Sequence, residues 1–165
     1  MDLNTSQLQT LAQHIRANTA PAVVAALAIR DDQSIRDWYN GASTTDVWSQ
    51  ACSGQDLFDA TPITTFDGLT GGKRDAWRLM IERADVIPAD FGRPRNRNAV
   101  IDIWPAAQAT SILQACTRKA TRAELVFGGA SETANVSGGT NVTAMDLAVE
   151  GELTLNEVSA ALNQF

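Results

Sequence analysis

The sequence is poor in the residues that most site chemistry needs. It has one histidine and two cysteines among 165 residues. The histidine, His14, has no cysteine or second histidine near it in sequence. A histidine-centred catalytic pair or metal site needs such a partner, so the pattern speaks against both. Cys52 and Cys116 stand alone, far apart, in helix-like surroundings, and read as small buried thiols, with a disulfide unsupported. No apolar run approaches the roughly 20 residues that a membrane span needs. The first residues, MDLNTSQLQ, lack the basic and apolar regions of a signal peptide, so the expectation is a protein made in a reducing cytoplasm.

Motifs with a mechanism are equally scarce. Gly68-Leu69-Thr70-Gly71-Gly72-Lys73-Arg74 invites comparison with a phosphate loop. The first glycine of that motif would fall at Asp67, and Arg74 stands where a magnesium-binding hydroxyl belongs. The plainer reading is a flexible start to a helix. Asp31, Asp32 and Asp37 follow no calcium-loop spacing, and helix capping accounts for at least one of them. No serine or threonine sits in a nucleophile elbow. No catalytic, cofactor-binding or metal-ligating residue is assigned, and the expectation is a protein that is not an enzyme.

What the sequence does have is an uneven distribution of charge. Residues 73–122 hold ten of the thirteen basic residues and five acids, a local net of +5. Residues 1–72 carry −5 and residues 123–165 carry −6, so a basic middle lies between acidic ends. The pattern concerns contacts more than chemistry. With Pro94 favouring extension at Arg93, the alternation of Arg93, Arg95 and Arg97 places three guanidinium groups on one edge, suited to carboxylates or phosphates. An overall charge of −6 argues against a nucleic-acid surface. An acidic protein surface, or the acidic ends of a second copy, fits better. Lys73, Arg74 and Arg78 join the arm as interface candidates. A head-to-tail contact of basic middle on acidic ends would close into a ring.

Helical periodicity dominates the pattern. Leu8, Leu11, Ala12 and Ile15 mark a first helix, Val23, Val24, Leu27 and Ala28 a second, and Ile35, Trp38 and Tyr39 a third. Thr44 or Thr45 can cap a fourth through Val47, Trp48 and Cys52. Trp77, Met80, Ile81 and Ala84 form one stripe of a helix that Pro88 ends. A second long pattern runs from Val100 to Phe127, with Pro105 predicted to kink or split it. Gly128 to Thr143, rich in Gly, Ser, Thr and Asn, reads as an extended or mobile loop, or a hairpin. Met145 to Leu153 suits a short strand. Thr154-Leu155-Asn156-Glu157 is a capping box that opens a last helix. The expected fold is mainly α: a single helical bundle over 1–127, then a flexible loop or small β element and a C-terminal docking helix in 128–165. Leu155, Val158 and Leu162 are the residues expected to contact another chain.

A resemblance is carried by Ile87-Pro88, Asn96-Arg97-Asn98-Ala99, Ile101-Asp102-Ile103, Thr117 to Glu124 with Phe127, and Glu150-Gly151-Glu152-Leu153-Thr154 with Val158. The opening, Leu11 to Ala28 with Trp38-Tyr39-Asn40, carries it too. These segments resemble a family of small tailed-bacteriophage proteins encoded among head and tail structural genes. The resemblance implies a virion structural protein assembled in the host cytoplasm, a head–tail connector of the neck. Its partners would be further copies in a ring, dodecameric by analogy, the portal protein, and tail or neck proteins. DNA would pass through the channel without sequence-specific contact, and no membrane or cofactor is involved. The alternatives are a tail-completion protein, or a small cytosolic regulator that binds through the Arg93-Arg95-Arg97 arm.

Overall fold

A computed structural model describes residues 1–164. The chain runs through α1 (Thr5–Ala17), α2 (Pro21–Ala28), α3 (Asp32–Asn40), β1 (Ala42–Trp48), α4 (Gly54–Asp59), α5 (Ile63–Asp67) and α6 (Gly71–Val86). It continues with α7 (Pro94–Ile103), α8 (Ala106–Ala115), β2 (Thr117–Thr121), α9 (Arg122–Val126), β3 (Gly129–Ala134), β4 (Val142–Leu147) and α10 (Leu155–Gln164). The strands form one mixed sheet in the order β2-β1-β4-β3, with β1 and β4 parallel and Val47 opposite Met145.

The fold is therefore α/β, which overturns the expected helical bundle. Three stretches account for the difference. Thr44 and Thr45, expected to cap a helix, lie inside β1, where β-branched Thr and Val suit a pleated strand. The pattern from Val100 to Phe127 is not one helix. Trp104 is extended before Pro105 and divides α7 from α8, as the proline predicts. Beyond Cys116, Thr117–Thr121 is a strand, which carries Arg118 and Lys119. The segment after Gly128 is the hairpin alternative, β3 and β4, and not a loop. Thr133 and Thr143 join hydroxyls across it at 2.8 Å.

The chain divides into two compact units that interleave in sequence. Unit 1 holds Met1–Thr44, Lys119–Ala130 and Leu147–Phe165, and unit 2 holds Thr45–Arg118 and Ser131–Asp146. Residues 128–165 thus contribute to both.

Unit 1 has its own core of Leu11, Ile15, Val23, Ile35, Tyr39, Ala123, Leu153, Val158 and Leu162. Its helices start where side chains satisfy free amides. The Asn4 side chain accepts from the Gln7 amide at 3.0 Å and the Gln7 side chain accepts from the Asn4 amide at 2.9 Å, a capping box at the start of α1. Asp31 caps α3 through the Ser34 amide at 3.0 Å. Thr154 and Glu157 form the expected box at the start of α10. The buried Glu124 carboxylate accepts from the Thr121 amide at 2.8 Å and the Gly151 amide at 2.9 Å, tying α9 to the segment before α10.

Unit 2 is built on aromatics: Trp48, Trp77, Phe91 and Trp104, with Leu57, Ile112 and Leu113. Trp77 and Trp104 meet edge to face, centroids 5.3 Å apart at 89°. That geometry favours the ring quadrupoles and adds roughly 0.5–1.5 kcal/mol beyond area burial. The Trp77 indole N–H donates to the Thr61 hydroxyl at 2.9 Å. The turn between β3 and β4 is held in place. Gly138 takes a left-handed φ of 78°, Asn141 accepts from the Val136 amide at 2.9 Å, and the Thr110 hydroxyl donates to the Thr140 carbonyl at 2.8 Å.

Candidate interaction surface

The arginine arm is not an extended edge. Arg93 stands at the N-cap position of α7 without a side-chain capping bond and Pro94 opens the helix, so Arg95 and Arg97 lie on a helix and do not alternate along a strand. Arg93 projects to solvent and pairs with Asp90, Nε to Oδ2, at 2.8 Å. Arg95 is exposed. Arg97 is only 2% exposed. Its Nη1 donates to the Phe91 and Gly92 carbonyls, both at 2.8 Å, and its Nη2 to Glu132 at 3.2 Å. The guanidinium also lies over the Trp48 ring, 5.0 Å from the centroid. Arg97 is thus an internal brace, which corrects its place among the interface candidates. A regulator reading through a three-arginine arm loses its third member.

The other basic candidates lie on α6. Lys73 and Arg78 are exposed and Arg74 half-buried. Arg78 lies over the Phe66 ring at 5.6 Å. The charge polarity along the chain does not become a polarity between the two units. Unit 1 holds five basic and eight acidic residues and unit 2 eight and eleven, so each nets −3. The basic middle folds among the acids of its own unit.

Leu155, Val158 and Leu162 divide in the same way. Leu155 is partly exposed, but Val158 and Leu162 are buried in the core of unit 1, where α10 packs on α1 and α3. The expected docking face of the last helix is consumed within its own unit, apart from Leu155.

Exposed apolar side chains lie on both units: Val24 and Ile29 join Leu155 on unit 1, and five more lie on unit 2. Phe58, Ile63, Leu79, Val86 and Ile87 are each more than half exposed. The geometry of α6 explains two of them. An α-helix turns about 100° per residue, so a residue two positions on faces nearly the opposite way. Trp77 and Ala84 point into the core. Leu79 and Val86 therefore point outward, and they are 55% and 80% exposed. Seven residues apart, they share one line two turns long. The sequence held the signal: the core stripe Trp77, Met80, Ile81 and Ala84 leaves Leu79 and Val86 without a role.

Several groups with potential chemistry bond one another within the protein. His14 Nδ1 bonds the Tyr39 hydroxyl at 2.8 Å, and Asn18 donates to the same oxygen at 2.9 Å. Burial pushes the Tyr39 phenol up from its ordinary range. Cys52 and Cys116 are free, buried, and in contact at 3.9 Å between sulfurs. The hydrogen bond between them, and then burial, push the Cys116 thiol up, while the same bond holds Cys52 down. A groove of about 530 Å³ on unit 1 is lined by Arg36, Asp37, Asn40, Glu152 and Leu155 among others. Asn40 spans its floor, donating to the Leu153 carbonyl at 2.9 Å and accepting from the Leu153 amide at 2.8 Å. Arg36 and Asp37 bond each other at 2.6 Å. Hydrogen bonds from Gln33, then Arg36, hold the Asp37 carboxyl below its usual range. Among the described residues there is no group of three acidic, histidine or cysteine side chains placed to hold a metal ion. No helix among them is long and apolar enough to cross a membrane.

No known family model matches the chain, and no curated protein or solved structure is significantly similar to it.

Proposed function

We propose that this chain is a structural subunit of the neck of a tailed bacteriophage: a head–tail connector that assembles with copies of itself into a ring between portal and tail. The sequence resemblance supplies the reading. The structural observation that carries it is the set of exposed apolar side chains on unit 2, Phe58, Ile63, Leu79, Val86 and Ile87. Single exposed apolar residues are ordinary on a protein surface, but two on one outward line of a helix, Leu79 and Val86 of α6, mark a place for a neighbour. The net charge of −3 on each unit suits a wall past which DNA slides, because like charge keeps phosphates from adhering.

The test is made on particles. A phage carrying this gene is purified with and without it, and the particles are imaged and their proteins identified by mass. The expected result is the chain present in complete particles and, in its absence, filled heads and tails that fail to join. Complete, joined particles without the chain would overturn the reading.

A further inference from the structure

The outward line of α6 has an order that a second copy of the same helix can meet. Leu79 and Val86 stand on the centre of the exposed face, and Glu82 and Arg83 flank it between them, one on each side. We propose that two copies of the chain pair through α6, side by side and parallel, about a two-fold axis running along the helices.

The flanking charges decide the orientation. In a parallel pair the two-fold operation carries each flank to the opposite side. Glu82 of one copy then lies beside Arg83 of the other, twice. Leu79 faces Leu79 and Val86 faces Val86, as in the seam of a parallel coiled coil. In an antiparallel pair each flank stays on its own side, so Glu82 meets Glu82 and Arg83 meets Arg83. Like charges in contact are unfavourable and specify against that arrangement. Leu79 and Val86 are 55% and 80% exposed in the single chain, and Ile87, at 76%, adds apolar surface at the end of the line. Six apolar side chains and four charges make a small contact. Its dissociation constant belongs at the weak end, on the order of 10–100 μM.

The pairing goes beyond the neck reading and does not need it: it takes Leu79, Val86 and Ile87 for a two-fold contact and leaves Phe58 and Ile63 for the repeating contact of a ring. A two-fold contact joins two copies and goes no further, whereas a ring needs a contact that repeats. Particles can therefore fail the neck test while the dimer stands, and the reverse.

The test uses the purified full chain by sedimentation equilibrium at a concentration well above that range. The expected mass is twice 17.7 kDa. Leu79→Ser should raise the dissociation constant about tenfold or more, with the helical circular dichroism unchanged because Leu79 supports no core. Glu82→Arg alone and Arg83→Glu alone should each weaken the dimer, and the two together should restore it. Val86→Cys, mildly oxidised, should give a covalent dimer, since residue 86 faces itself only in the parallel arrangement. A monomer at that concentration would overturn the proposal. So would failure of the double charge exchange to restore the dimer, absence of the Val86→Cys cross-link, or an oligomer indifferent to Leu79→Ser.

Discussion

The guanidinium of Arg97 rests on the indole of Trp48, 5.0 Å from the ring centroid, and both side chains bond Glu132. The Trp48 N–H donates to the Glu132 carbonyl at 3.3 Å while Arg97 takes the carboxylate at 3.2 Å. One residue of β3 is thus clamped from both sides, and α7 is fixed to the sheet by a cation rather than by apolar contact alone. Closing the loop, Arg97 also satisfies the Phe91 and Gly92 carbonyls.

Removing the brace leaves two carbonyls and a carboxylate without their donor. Arg97→Ala should lower stability by roughly 2–4 kcal/mol, because the two buried carbonyls lose hydrogen bonds to a charge and regain none, whereas the Glu132 carboxylate, 42% exposed, turns to water. Arg97→Lys keeps the charge but not the planar fork, and should recover only part of the loss. Arg95→Ala, on the exposed side of the same helix, should change stability by less than about 0.5 kcal/mol. Urea unfolding followed by fluorescence measures all three. Equal effects at positions 95 and 97 would show that Arg97 is not a brace.

Trp104 offers a second test inside the same unit. It lies edge to face with Trp77 at 5.3 Å and near Phe66 at 6.2 Å, and it is 3% exposed. Its extended backbone before Pro105 turns the side chain into the core at the break between α7 and α8. Trp104→Ala should cost roughly 3–5 kcal/mol, the range for emptying an aromatic site in a packed core. Calorimetry should record the fall as a lower Tm with the transition still cooperative. A loss under about 1 kcal/mol would mean that the site collapses around the missing ring.

The sequence made some of this legible and hid the rest for identifiable reasons. Elements with a local punctuation mark were readable. Pro21 opens α2, Pro88 follows the end of α6, Pro105 divides α7 from α8, and Thr154 with Glu157 starts α10. Their cause lies within a few residues. The sheet was not readable, because strands are held by partners distant in sequence. Thr44 and Thr45 serve a cap or a strand equally well until β4 is beside them. Ala109 to Phe127 has helical spacing throughout, yet its second half pairs as β2 before α9 begins. The arginines misled for a related reason. Alternation in sequence implies one edge only if the segment is extended, and the helix from Pro94 turns Arg97 inward. In α6 the sequence carries two helical stripes, and only the one with Trp77 and Ala84 meets a core, while Leu79 and Val86 lie opposite it.

The β3–β4 turn carries the last prediction. A composition of Gly, Ser, Thr and Asn suggests mobility, because such residues bury little apolar surface to offset an ordering cost of roughly 1–2 kcal/mol per residue. The structure supplies what composition lacks. Val136 and Val142 reach the core of unit 2, and Thr110 and Asn141 take up backbone groups of the turn. Gly139 passes so close to α8 that an added Cβ would sit 2.9 Å from the Ala106 carbonyl oxygen and 3.0 Å from the Thr110 hydroxyl. The free protein should therefore resist a broad-specificity protease between residues 135 and 141. Thr110→Val removes one hydrogen bond at nearly constant shape and should cost about 1 kcal/mol or slightly more. Gly139→Ala should cost about 1–3 kcal/mol, because the backbone carbonyl it meets cannot step aside as a side-chain tip would. In both variants the segment should open more often and be cut sooner, with the first cleavage mapped to the turn by mass. Wild-type protein cut there as fast as either variant would show that these contacts do not hold the turn.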